Sequence, residues 1–219
     1  MNRMPEGFCI DNTEVTRGVY FAWLETEPDI SAQSAECLAN DDFMPTCLTT
    51  GGWGLDRFLE NPVGCVDWCD AQTFCEANGK RLCGAIGGGA NPIDDYADPT
   101  ASEWFASCSA GGENDYVFGN EYILQACYET LRDTWGSTAA GGFEDCVSPN
   151  PDYTGLYDMG GNLAEWEDSC DGTGGDARCR VRGGSFQHEG NGIRCDAGST
   201  LTFPRTGTSD AVGFRCCAD

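Results

Sequence analysis

Fifteen cysteines in 219 residues constrain this chain more than any other feature. An odd number leaves at least one thiol free or paired between chains. No Cys-x-x-Cys pair is followed by a second at zinc-ribbon spacing, and a lone histidine, His188, removes the mixed Cys/His zinc sites. Disulfides formed in an oxidising compartment account for such usage, so the expected location is secreted or cell-surface, extracellular or periplasmic. Met1-Asn2-Arg3-Met4 runs directly into the domain with no apolar signal segment, which reads as a mature or trimmed form. Spacing alone makes local staples of Cys37 with Cys47, Cys127 with Cys146 and Cys170 with Cys179. The vicinal pair Cys216-Cys217 is expected to split between two partners, because bridge geometry strains across adjacent residues.

Composition then sets the class. Hydrophobic residues at 40% and aromatics at 11% make a packed globule, and 30 glycines promise many turns and few long helices. No run of about 18 apolar residues exists, so no membrane span is expected. The formal charge is -24, with one lysine, Lys80, among 12 basic residues. Nucleic acid is excluded as a partner, since phosphate binding needs a basic surface. The acids read either as a solvated face or as ligands gathered on divalent cations, calcium being the natural choice for oxygen donors.

Periodicity is irregular. Thr16 reads as an N-cap for a helix carrying Val19, Tyr20, Trp23 and Leu24. Val66 to Asn78 is the clearest helix, with Trp68, Ala71, Phe74 and Cys75 on one face and Asn78-Gly79 ending it. A short helix is expected over 102–108, and strands over 179–182 and 212–216. Residues 28–62 and 84–100 read as loop. The expectation is one α+β domain over 1–219 with much ordered loop.

Several blocks carry more than composition does: Ile10-Asp-Asn-Thr-Glu-Val-Thr16, Cys65-Val-Asp-Trp-Cys-Asp-Ala71, Gly79-Lys-Arg-Leu82 and Tyr116-Val-Phe-Gly-Asn120. Near the end come Gly155-Leu-Tyr-Asp-Met-Gly-Gly-Asn-Leu-Ala-Glu-Trp166, Arg182-Gly-Gly-Ser-Phe186 and Gly213-Phe-Arg-Cys216. In this order they resemble the formylglycine-generating enzyme, or sulfatase-modifying factor, family. The resemblance implies a single compact, loop-rich, disulfide-stapled α+β domain related to C-type lectins. It also implies long bridges from Cys75 to Cys216 and from Cys108 to Cys195. It places calcium at Asp158, Gly161, Leu163 and Glu165, through side chains of the acids and backbone of the other two. Cys9, Cys65, Cys69, Cys83 and Cys217 stay unassigned.

The same resemblance implies an oxidase that holds copper(I) on two cysteines after the Arg-Gly-Gly-Ser-aromatic block, soft thiolates suiting that ion. Here that segment reads Phe186-Gln-His-Glu-Gly-Asn-Gly-Ile-Arg194, with no cysteine. The expected role is therefore an extracellular, calcium-containing binding or interaction protein without formylglycine-generating activity, and no catalytic residue is assigned. Its partner is a peptide, glycan or protein ligand. The ligand loop takes Gln187, His188, Glu189 and Asn191, with further loops at 84–100 and 135–145. Trp104, Trp135 and Trp166 read first as core in a Gly-rich domain, with a sugar-stacking platform as the weaker alternative. Two alternatives stand: an oxidase of peptidyl cysteine using His188 and an unpaired cysteine, and a self-assembling structural subunit bridged by the odd cysteine.

Overall fold

The computed structural model describes residues 1–47, 58–129, 136–197 and 201–219. Among the described residues, three α-helices form where side chains can close their first turns. α1 (Arg17–Leu24) starts at Thr16, whose hydroxyl accepts from the Val19 amide. α2 (Trp68–Ala77) starts in a capping box: Asp67 accepts from the Asp70 amide at 2.9 Å and Asp70 from the Asp67 amide at 3.1 Å. α3 (Glu103–Cys108) is capped by Ser102, which accepts from the Phe105 amide at 3.0 Å.

Among the described residues there are eight short strands, in chain order β1 (Asn2–Arg3), β2 (Cys9–Ile10), β3 (Arg81–Leu82) and β4 (Ala164–Cys170). They continue with β5 (Arg178–Arg182), β6 (Thr202–Pro204), β7 (Val212–Gly213) and β8 (Cys216–Ala218). One sheet has the order β1-β2-β8-β3 and brings both chain ends together; the other has the order β6-β5-β4-β7, with β4 and β7 parallel. The single strand expected over 212–216 is two strands in two sheets. Phe214 and Arg215 make the crossing, the ring entering the apolar core and the guanidinium reaching Glu165.

The first core gathers Tyr20, Trp23, Phe74 and Phe214, with ring centroids 5.1 to 6.2 Å apart. The second holds Phe8, Ile10, Trp104, Phe105, Met159 and Ile193. Trp104 and Trp166 are 0% and 1% exposed, so both rings are core and the platform alternative fails for them; each indole N–H finds a buried acceptor, Glu165 for Trp104 and the Val66 carbonyl for Trp166. Trp135 lies outside the described residues.

Fourteen cysteines form seven bridges and Cys9 is left as a thiol. Cys216 joins Cys75 and Cys217 joins Cys83, so the vicinal pair locks β8 to α2 on one side and to the segment after β3 on the other. Cys108 joins Cys195, Cys127 joins Cys146, and Cys170 joins Cys179 across the β4–β5 ladder. Cys37 and Cys47 are not paired with each other. Cys37 is buried in the first core beside Cys69, and Cys47 joins Cys65, so the 28–62 segment folds back on the start of α2 instead of on itself. The three longest bridges span 141, 134 and 87 residues, each worth on the order of 4–5 kcal/mol in the loop-entropy model.

Candidate functional site

The turn from Asp158 to Glu165 sits where the two sheets meet. Asp158, Gly161 and Asn162 have φ of 56°, 78° and 50°, a left-handed path that folds the turn tightly. A Cβ on Gly161 would collide with the Tyr128 carbonyl, so that position needs glycine. Glu14, fully buried, anchors the turn: it accepts from the Asn162 side-chain amide at 2.9 Å and from the Leu163 amide at 3.0 Å. Gly161 donates to the Gly183 carbonyl at 3.0 Å.

Glu165, at the start of β4, accepts three hydrogen bonds. Two come from Arg215, Nη2 to Oε1 at 2.6 Å and Nε to Oε2 at 2.7 Å, and one from Trp104 at 2.8 Å. Arg215 also donates to the carbonyls of Tyr157 and Asp11. Asp158 accepts from the Gly141 amide at 2.6 Å through Oδ2, while its buried Oδ1 has no partner.

Charge is the notable property here. Three buried carboxylates, Glu14, Asp158 and Glu165, face one guanidinium. Burial first, then the neighbouring Asp158 and Glu165, raises Glu14 well above the ordinary carboxylate range. Burial likewise pushes Asp158 up to about 6 against the pull of the Gly141 amide and Arg215. Burial opposes the charge of Arg215, but Glu165 at contact, with Glu14 and Asp158 beyond, more than offsets it and holds the guanidinium charged. The residues fit a divalent oxygen-seeking cation on two grounds. Asp158 Oδ1 is an orphaned buried acceptor, and the Glu165 carboxylate, with about four lone-pair sites, retains one. Asp158, Gly161, Leu163 and Glu165 are thus brought onto one turn. Glu14 and Arg215 are the two members that sequence reasoning did not assign; each lay inside a quoted block, but only the fold joins them.

The segment after Arg182-Gly-Gly-Ser-Phe186 is a different kind of site. His188 Nδ1 accepts from the Ser185 amide at 3.1 Å and meets the Ser185 hydroxyl at 3.0 Å. Burial holds its pKa below the ordinary histidine value, so the ring is neutral and closes a turn. Gln187, Glu189 and Asn191 are exposed around it. Among the described residues, the one group of three clustered His, Cys, Asp or Glu donor atoms is Cys83, Glu103 and Cys217, which contains none of Glu14, Asp158, Glu165, His188 and Cys9. Its sulfurs are bonded to each other, and Glu103 is held by Arg81 at 2.6 Å. Loop 84–100 is pinned down as well: Asn91 donates to the Asp168 carbonyl and Tyr96 lies under Arg180. A separate cavity of about 180 Å³ lies between α1 and the Cys47–Cys65 bridge, lined by Phe21, Phe58, Val63, Ser137 and Asp210 among others.

This architecture defines the sulfatase-modifying factor class of α+β domain. Residues 2–219 match the sulfatase-modifying factor enzyme 1-like domain, and the chain belongs to that family. The chain is 30% identical over 183 residues to the inactive C-alpha-formylglycine-generating enzyme 2 of Bos taurus, covering 76% of this chain and 53% of that protein. It is also 30% identical over 185 residues to the formylglycine-generating enzyme of Mus musculus, covering 73% of this chain and 44% of that protein. The chain thus spans about half the length of the curated relatives it matches. Its fold is that of CarF, with a TM-score of 0.61 at 22% identity over 96% of this chain and 85% of that one. It is equally that of PvdO from Pseudomonas aeruginosa, at 0.60 and 19% over 97% and 80%, and of Treponema denticola variable protein 1, at 0.60 and 17% over 96% and 84%. Among the described residues no helix is long and apolar enough to cross a membrane.

Proposed function

We propose that this domain is an exported, calcium-containing binding or interaction protein on the formylglycine-generating scaffold, without formylglycine-generating activity. The observation that carries this reading is the cysteine inventory. A copper(I) site of the family's kind takes two thiolates, whereas 14 of 15 cysteines here are bridged and one thiol, Cys9, remains on β2. Where the family's cysteine pair would stand, His188 closes a turn on Ser185. Seven bridges support an oxidising, extracellular setting.

Calcium is proposed at the Asp158–Glu165 turn, held by the Asp158 and Glu165 side chains with the Gly161 and Leu163 backbone. Two positive charges there would offset the surplus of three buried acids over Arg215. The metal's role is structural, fixing the junction of the two sheets. The test is direct. Purified protein given copper(I), air and a cysteinyl peptide is expected to form no aldehyde; aldehyde formation would sink the reading. Chelation is expected to lower the melting temperature, and restored calcium to recover it.

A further inference from the structure

Tyr122, Ile123 and Leu124 are three consecutive large side chains exposed by 37%, 53% and 56%. The loop that carries them is clamped. Glu129, 1% exposed, accepts from the Tyr122 hydroxyl at 2.7 Å through Oε2 and from the Gln125 amide at 2.5 Å through Oε1. The Tyr122 ring lies 5.9 Å from that of Tyr116, which stacks on Phe118 at 5.2 Å. Burial and the Glu129 carboxylate push the Tyr122 phenol up to about 12, so it remains a donor at neutral pH. Burying a carboxylate is costly. Here it holds a loop whose two aliphatic side chains stay in water, an arrangement that folding alone does not reward.

The surroundings of this loop are acidic. Glu121 and Glu189 are exposed, and neither takes part in an ion pair among the described residues. Glu189 is close enough to Tyr122 to disfavour its phenolate. Among the described residues, the cation Arg194 beside Tyr116 is spent on Asp115 and Asp196. A second copy of the chain carries the same net -24, so like charge opposes its docking here. We propose that the Tyr122–Leu124 loop docks a cationic peptide segment bearing apolar side chains. Ile123 and Leu124 supply the apolar contact, and Glu121 and Glu189 supply the charge. This rests on the binding reading and names its partner class.

The experiment measures affinity of the full chain, by fluorescence anisotropy, for a synthetic peptide of alternating lysine and leucine and for one with serine replacing leucine. The lysine–leucine peptide is expected to bind at least tenfold more tightly. Ile123→Ser with Leu124→Ser, which leaves net charge unchanged, is expected to abolish that preference, while Glu121→Gln with Glu189→Gln weakens both peptides several-fold. Unchanged near-ultraviolet circular dichroism checks that these surface variants stay folded, and Glu129→Gln, which loosens the loop without touching its tip, should reduce the preference part-way. Equal binding of both peptides, or a preference that survives the serine variant, overturns the proposal. So does a dimer, seen by sedimentation, that the serine variant dissolves. Aldehyde formation would instead overturn the binding reading while leaving these affinities unaddressed, so the two failures are distinguishable.

Discussion

Two regions of this molecule are equally dry and held by opposite means. Around Tyr20, Trp23, Phe74 and Phe214 the rings pack mostly edge to face, with Tyr20 stacked on Phe74, and the cluster is apolar. One residue further along the chain, Arg215 enters a cluster with Glu165, Glu14 and Asp158 that is just as buried. Many small contacts can each be lost cheaply in the first. In the second, one cation supports three acids, and the loss of one partner strands the others. Removing single groups from each region separates these behaviours.

The largest effect is expected from Arg215→Met. Equilibrium urea denaturation should show a loss of about 3–5 kcal/mol, since Glu165 would be left buried and uncompensated. Adding Glu165→Gln should recover part of it; full stability in the single variant would break the comparison. Next comes calcium. Saturation at one hundred times its dissociation constant should add about 2.7 kcal/mol, and Asp158→Asn should remove most of that gain while the melting temperature in chelator changes little.

A smaller effect tests whether buried acids elsewhere carry the same burden. Burial pushes the α2 cap residue Asp67 up to about 6 from an ordinary 3.8, opposed by the amides of Asp70 and Cys69. Between those values the folded chain retains a proton that the unfolded chain has released. Stability therefore falls as pH rises through the window, by about 3 kcal/mol. Asp67→Asn keeps a capping acceptor and should flatten that slope in melts from pH 4 to 7. The smallest change belongs to the apolar region. Tyr20→Phe removes the bond to the Phe43 carbonyl, 2.8 Å long, and should cost about 1 kcal/mol while leaving the ring packing intact.

The same contrast governs how much was legible in the sequence. Helical spacing of Val19, Tyr20, Trp23 and Leu24, and of Trp68, Ala71, Phe74 and Cys75, placed α1 and α2 because an apolar face repeats along the chain. The cap Thr16 was visible for the same local reason, whereas Ser102 read as the first residue of its helix and is the cap instead. The partnership of Cys37 with Cys69 was not visible, because spacing favours short loops and says nothing of which core a segment packs into. Val212 to Cys216 read as one strand because alternation cannot reveal that hydrogen-bonding partners change at Phe214. The acids at 158 and 165 stood out as a turn with two carboxylates. Glu14 and Arg215 did not, since they reach that turn from 148 to 149 and 50 residues away along the chain.

The number of thiols the native protein keeps separates the binding reading from the oxidase reading. Titration with a thiol reagent, on unreduced protein before and after denaturation, should find one group per chain, identified as Cys9 by mapping the labelled peptide. Two or more thiols that also take up copper(I) would contradict it, and would return the chain to its oxidase relatives.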